Sequence, residues 1–557
     1  MTTRREVLAL SLPAALLAGC GGGGGGSGVP APSPGPAPGP GPAPAPVPAP
    51  GPSPAPAGVP FPAPGPVVAP SWAGFAGNAQ HQAQSAISPK PLTRVVWTAP
   101  VDLAPPYTAG GSLLVHYGSP VITAANTVLV PVKTTDAGGF RVEARRGSDG
   151  VLLWQQTTAY LLPSRPDIGS AWTPSFNIAL DGRSRLYVPE SGGRLLLRDD
   201  VDQVGGAVYR LAFYGNATYD ANATALDVAI KINTPLTVDA AGNVFFGFMA
   251  AAGNPAGLSS GIARIGADGV GSWKGAADLA GDAGIVKVSM NAAPALSLDG
   301  STLYVAVNNG STSPSGYLLA LNSTTLALKA KQTLRSPVPP RQAAVLHDSS
   351  TASPLVAPDG DVYYGVHDRS TGSHNGRGWL LHFDAALTTE KTPGSFGWDN
   401  TPSIVPVSMV NAPAEGATYF LLSKYNNYYG AGTGDGQNRM ALLNPMQLQD
   451  DPVVGGATQV MKEVFTILGP TLDGGAAGGA GAVREWCVNT AVVLTSSNAV
   501  MMNNEDGILY RWDLQTNTFS QHAVLNEGIG QAYTATLVGP DGMVYAINNA
   551  TLNAVGA

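Results

Sequence analysis

Charge is scarce in this chain. Asp, Glu, Lys and Arg make up 12% of 557 residues, and 30 basic against 37 acidic side chains leave a formal net charge of −7. Without a basic patch, nucleic acid is excluded as a partner, because binding a phosphate backbone needs clustered Lys and Arg. Cysteine is nearly absent too, with Cys20 and Cys487 the two present. No apolar run reaches the roughly 20 residues that a membrane-spanning helix needs. No glycine-rich phosphate loop stands before a helix, and Gly474 to Gly481 reads as a flexible connector ahead of a strand. What the chain has in quantity is glycine, 70 residues, and proline, 48.

The first twenty residues read as an address. Thr3-Arg4-Arg5-Glu6-Val7-Leu8 opens a short apolar segment that ends at Leu17-Ala18-Gly19-Cys20. Positive charge ahead of such a segment and small residues at its end describe a cleaved export signal. It resembles a bacterial lipoprotein signal with a twin-arginine element, although Val7 stands where that element usually has Phe. The resemblance implies that residues 1–19 are removed and that Cys20 becomes a lipidated N-terminus. One acyl chain holds only marginally, at about 0.8 kcal/mol per buried CH₂, whereas several hold firmly. Gly21 in place of Asp implies, by the same analogy, the outer membrane, with the body on its periplasmic or cell-surface side. Cys487 is then the lone thiol, with no intramolecular disulfide open to it, and is expected to be buried and inert.

Residues 20–70 form a tether. A glycine run gives way to Pro-Ala-Gly repeats almost free of charge, which cannot bury enough apolar surface to offset ordering entropy. The glycines act as a swivel and the proline-rich part as a polyproline II rod. Roughly forty such residues at about 3.1 Å each reach on the order of 120 Å.

Residues 71–557 are too many for one ordinary core and carry a repeat. Each unit shows a small residue, often before Pro, an apolar strand, a tight turn and a second apolar strand. Thr234-Pro235 leads to Asp239 and Val244-Phe245-Phe246, Ala293-Pro294 to Asp299-Gly300 and Leu303-Tyr304-Val305, and Ser353-Pro354 to Asp359-Gly360 and Val362-Tyr363-Tyr364. The Asp-Gly pairs supply the positive φ that two-residue hairpins require. Asp181, Asp239, Asp299 and Asp359 recur at about 60 residues, which suits a four-stranded unit. Eight units fit, so the expected fold is all-β: an eight-bladed propeller of four-stranded antiparallel blades. The last unit ends after three strands, the third around Leu552 to Val555. An orphan strand at Thr93–Thr98 is left to complete it and close the ring, removing an exposed edge.

The opening Trp72-Ala73-Gly74-Phe75-Ala76-Gly77-Asn78-Ala79-Gln80-His81, followed by these units, resembles the pyrroloquinoline-quinone-like β-propeller repeat proteins. That superfamily holds quinoprotein dehydrogenases and also non-catalytic, BamB-like lipoproteins, so fold does not settle function. The dehydrogenase branch implies quinone and calcium at the axis and often a vicinal disulfide, which Cys487, with no neighbouring Cys, does not provide. Trp398-Asp399-Asn400 faintly resembles a catalytic Asp segment; the competing reading is a Trp packed between blades with Asp399 capping a turn. His367-Asp368 and His374, near Arg369 and Arg377, offer too few ligands for a metal and read as a solvated loop.

Aligning the units on the small-Pro step puts Gly118, Trp172, Asn233, Ala292, Ala352, Asn400, Asn489 and Tyr533 at one level of the channel mouth. Of these Trp172, Asn233, Asn400, Asn489 and Tyr533 are the candidate ligand-binding residues, amides and aromatics suited to a sugar or small polar molecule. The alternative is that the amides cap neighbouring backbone. Lys424 to Tyr429 and Glu485-Trp486 are further loop candidates. The reading favoured is a lipid-tethered, non-catalytic binding or scaffolding module for an envelope protein or glycan, with no catalytic residue, metal or cofactor. A divergent quinone-dependent oxidoreductase, with pyrroloquinoline quinone and calcium, is the alternative.

Overall fold

The computed structural model describes residues 67–107, 113, 115–136, 138–163, 176–368, 377–427, 434–453, 458–474, 481–487, 490–528, 530 and 532–557. Cys20, the export signal, nearly all of the tether, Trp172, His374 and Asn489 lie outside them.

Eight small sheets, each built on four antiparallel strands, form the ring. The inner strands are short: Val121–Ile122, Ala179–Leu180, Thr237–Val238, Ala295–Leu296, Leu355–Val356, Ser403–Pro406, Val492–Leu494 and Leu537–Val538, which number blades 1 to 8. The second strands carry the β-branched and aromatic runs noted in the sequence. Val362–Val366 of blade 5, Ala499–Asn503 of blade 7 and Val544–Asn548 of blade 8 are buried at every residue. Both faces of a second strand meet neighbouring blades, hence the continuous apolar pattern in place of alternation. Arg94–Pro100 pairs antiparallel with Thr551–Gly556, Ala99 opposite Leu552, and is the outer strand of blade 8. Trp97 also donates its indole N–H to the Gly147 carbonyl (2.8 Å), and Tyr545 reaches the same oxygen (3.1 Å), fastening blade 8 to blade 1.

The turns between inner and second strands are longer than the two-residue hairpins expected. In blade 4 the Gly300 N–H bonds the Ser297 carbonyl, and Gly300 itself, the fourth residue, takes φ of 70°. Asn126, Ser184, Gly242, Gly360 and Gly542 take positive φ at the same fourth position in their blades, whereas blade 6 places it at Glu415 and Gly416 inside its turn and blade 7 at Asn498, one residue beyond. The conformational demand is the one the sequence suggested, but its position is the end of the turn. Asp181-Gly182 is out of phase, since Ser184 bears the positive φ there. The all-β pattern has one sizeable interruption, the helix Asn216–Ala229 between blades 2 and 3, which buries Tyr219 and Leu226.

The segment before the first blade is structural. Starting at Val68, inside the stretch read as tether, whose N–H bonds the Gly182 carbonyl, residues 68–90 run around the axis as a collar. The N–H groups of Ile122, Leu180, Leu296, Val356, Ile404 and Val493 donate to the carbonyls of Trp72, Ala73, Ala79, Gln80, Gln82 and Ala83. Six of the eight inner strands therefore end on one continuous piece of backbone. Three alternate amides add to it. Gln80 Nε2 donates to Leu296 and Ser297, Gln82 Nε2 to Val356 (3.0 Å) and Gln84 Nε2 to Ile404 (2.8 Å), so each Gln ties one blade by side chain and the next by backbone. Replacing Gln82 by Leu keeps the size and removes the donor. We expect Gln82→Leu to lower stability by about 1 kcal/mol, read as a shift in the urea midpoint with an unchanged slope.

Candidate functional site

The collar occupies the face where inner strands turn into second strands. The opposite face carries the connections between blades and the longer loops between second and third strands, and there the aligned positions lie. Phe75 of the collar, in edge-to-face contact with His81, stands beneath the axis. Above it His116 and Tyr533 stack, ring centroids 4.8 Å apart at 24°. Between these, with Asn177, Asn291 and Thr351 on the walls, the axial void is about 10 Å³, room for one water at most.

The structure brings Asn233, Asn400 and Tyr533 to this level, with 2%, 1% and 3% of their surface exposed. Their amides are turned into the blades. Asn233 Nδ2 donates to the Val288 carbonyl (2.9 Å) and Asn400 Nδ2 to the Ser423 hydroxyl (3.0 Å). Ala292 and Ala352 are buried beside them, and at Gly118 a Cβ would stand 1.8 Å from the Phe176 carbonyl oxygen. Trp172 and Asn489 are outside the described residues.

Blades 5 and 6 concentrate the other polar candidates. Trp398 receives His347 and His367 edge-on, at 5.3 and 5.1 Å between centroids. Asp399, held at φ of 47°, accepts the Thr351 N–H (2.7 Å) and hydroxyl (2.8 Å) and faces Lys424 Nζ at 3.7 Å. It caps the neighbouring connection while Trp398 fills the space between blades. His367 and Asp368 do not form the solvated loop expected: both are buried, His367 bridging Val345 and Asp368 accepting the Trp379 indole N–H (2.7 Å). Lys424, Tyr425 and Asn426 are likewise buried, at the end of a second strand.

Two further buried Lys–Asp pairs lie on the same face, Lys133 with Asp102 (3.1 Å) and Lys287 with Asp348. Tyr117 donates to Asp102 as well (2.8 Å), and burial with that carboxylate beside it pushes the phenol well above its usual range. Such pairs add little net stability but tolerate one geometry only, so they fix where the connections run. Among the described residues no group of three or more His, Cys, Asp and Glu side chains is placed to hold a metal ion.

No protein-family model matches the chain, and no curated protein matches it in sequence. Solved structures do match in shape. A europium-containing methanol dehydrogenase superposes at a TM-score of 0.50 with 9% identity, over 86% of this chain and 89% of that one. At that identity the likeness is one of fold, which in this chain is an eight-bladed β-propeller. BamB from Moraxella catarrhalis (TM-score 0.44, 12% identity, 83% of this chain and 99% of that one) and a quinohemoprotein alcohol dehydrogenase from Comamonas testosteroni (0.48, 12%, 87% and 77%) are also similar.

Within the propeller one recurrent feature escaped the sequence reading. Asn308, Asn503 and Asn548 end the second strand of their blades and Asn426 directly follows its own; all four are buried and bond beyond their own blade or into the next loop. Asn426 both donates to and accepts from the Trp486 backbone (2.9 and 3.0 Å), Asn503 donates to the Ile547 carbonyl (2.6 Å), and Asn548 donates back to Asn503 (2.9 Å). The signal was available, since Asn308-Asn309, Asn426-Asn427, Asn503-Asn504 and Asn548-Asn549 are Asn-Asn pairs at one phase of the repeat.

Cys487 is buried as expected, and its thiol donates to Glu505 Oε1 at 3.0 Å. Burial, with Glu485 nearby, holds the Glu505 carboxyl well above the usual carboxylate range. Its folded form keeps the proton, so this stability is full below the unfolded value and is lost as pH rises through the raised one. Glu505→Gln keeps a neutral hydrogen-bonding group and should flatten that decline, measured as urea midpoints across pH 5 to 9. His81 behaves oppositely. Burial lowers its imidazole from 6.5 to about 4, the hydrogen bond from Nδ1–H to the Pro354 carbonyl (2.7 Å) notwithstanding. Its contribution is present above pH 6.5 and is lost toward pH 4, by about 3 kcal/mol. His81→Asn, whose amide can replace the donor and accept the positive φ, should remove most of that acid sensitivity.

Proposed function

We propose that the protein is a lipid-tethered, non-catalytic binding module of the cell envelope, whose loop face receives a protein or glycan partner. The observation that carries this reading is the filled axis. A small-molecule site of ordinary kind needs about 300 Å³ or more, and the axial void between Phe75 and the His116–Tyr533 stack is about 10 Å³. The described residues therefore do not fit pyrroloquinoline quinone at that place. Asp399, the nearest thing to a catalytic carboxylate, is engaged by Thr351 and Lys424. The partner-facing side is then the surface of the inter-blade connections, outside the level at which Asn233, Asn400 and Tyr533 are buried.

Three experiments test it. Purified protein mixed with pyrroloquinoline quinone and calcium should show no bound chromophore and no dye reduction with alcohols; turnover would replace this reading by the oxidoreductase one. In cells, Cys20→Ser should release the protein from the outer-membrane fraction. A photo-crosslinking residue at Leu161 or Leu472, both exposed on inter-blade connections, should yield a discrete adduct that the same residue at Leu298 or Leu328 does not.

A further inference from the structure

We infer that the groove between blades 2 and 3 is the docking site of this chain's own proline-rich arm, with Phe61 as the anchor. The groove, about 700 Å³ and open to solvent, is lined by Tyr214, Val270 and Trp273 over the buried Phe213 and Leu258, with polar and apolar surface in similar share. Val270 at its lip is 64% exposed. The Trp273 ring meets Phe248 edge-on at 6.0 Å. This is the kind of surface, aromatic and partly open, on which pre-extended proline-rich segments bind.

The occupant is indicated by where the arm joins the ring. Val68 donates to the Gly182 carbonyl (2.8 Å) and accepts from the Ser184 hydroxyl (3.0 Å), on the first turn of blade 2. Gly182 lies directly against Ala240 in the corresponding turn of blade 3, where a Cβ would stand 2.5 Å from the Ala240 oxygen. Asn243 of that turn accepts from the Arg264 guanidinium (2.7 Å) and the Ala267 N–H (3.2 Å). Gly269, the first lip residue, is two positions further on. Anchor and groove are thus joined by an unbroken chain of contacts across blades 2 and 3.

Phe61 is the one aromatic residue before Trp72 in the sequence, and it stands between Pro60 and Pro62. From Val68, seven residues of polyproline II at about 3.1 Å each carry it as far as ~22 Å. Val67 and Val68, themselves exposed, continue the apolar line from arm to ring. The flanking prolines hold the segment extended in advance, so little chain freedom is lost on docking.

The test uses the mature full-length chain with Cys20→Ser and a single reporter cysteine; Cys487 is buried. Maleimide labelling of Ala63→Cys, beside the anchor, is compared with Ala45→Cys, far along the arm. An arm docked nine-tenths of the time is labelled about tenfold more slowly, and that is the expected difference. Phe61→Ala or Val270→Asp, the latter at an exposed position that leaves the core untouched, should each return Ala63→Cys to the Ala45→Cys rate. Equal rates in the parent chain would overturn the inference. So would a slow rate that Phe61→Ala and Val270→Asp leave unchanged.

Discussion

Adjacent blades of a propeller meet largely through side chains, and side chains alone leave the lean of each blade weakly determined. In this protein the lean is set by backbone. The inner-strand N–H groups of six blades end on the carbonyls of residues 72–83, and a hydrogen bond tolerates far less displacement than an apolar contact. At about 0.5–1.5 kcal/mol each, these bonds sum to roughly the net stability of a whole domain. The collar takes left-handed backbone at Ala76, His81 and Ala83 to follow so tight a circle. That strain persists because the bonds on either side hold it.

With the collar below and the His116–Tyr533 stack above, the axis is part of the core. The polar groups around it hold blades together: Asn233, Asn400, Asn426 and Asn503 bond across blade boundaries or to neighbouring strands, and Lys133, Lys287 and Lys424 face buried carboxylates. What varies, and what remains on the outside, is the set of inter-blade connections. The repeat thus supplies a closed platform, and the inter-blade connections are what it carries on its outside.

The architecture was readable because its demands fall on side chains. Turn residues that must take positive φ are mostly Gly, Asn or Ser, and buried second strands are unbroken apolar runs, so both recur visibly. The phase within the turn was less readable: Asp299-Gly300 marked it correctly, while Asp181-Gly182 did not, since Ser184 assumes the conformation there. The collar left almost no trace, because carbonyl oxygens carry no sequence signature, and only alternate Gln80, Gln82 and Gln84 hinted at it. Alignment of the units marks Asn233 and Asn400 as equivalent positions ahead of their inner strands. Their direction was not readable, as a residue at a channel mouth can face the axis or the next blade with the same spacing. The burial of His367 and Asp368 escaped for a similar reason: it depends on Val345 and Trp379, which other segments deliver.

The seam between Arg94–Pro100 and Thr551–Gly556 joins strands made at opposite ends of synthesis. At about 5–20 residues per second, the early strand waits on the order of a minute for its partner, and the collar waits nearly as long for Val493. Throughout that interval Trp72 and Trp97 can meet blade 1 through Ile122 and Gly147, but the paired edge of Arg94–Pro100 has no strand to lie against. The newborn chain is thus a ring that cannot latch until its last segment arrives, and its vulnerability to misassociation is concentrated at its head.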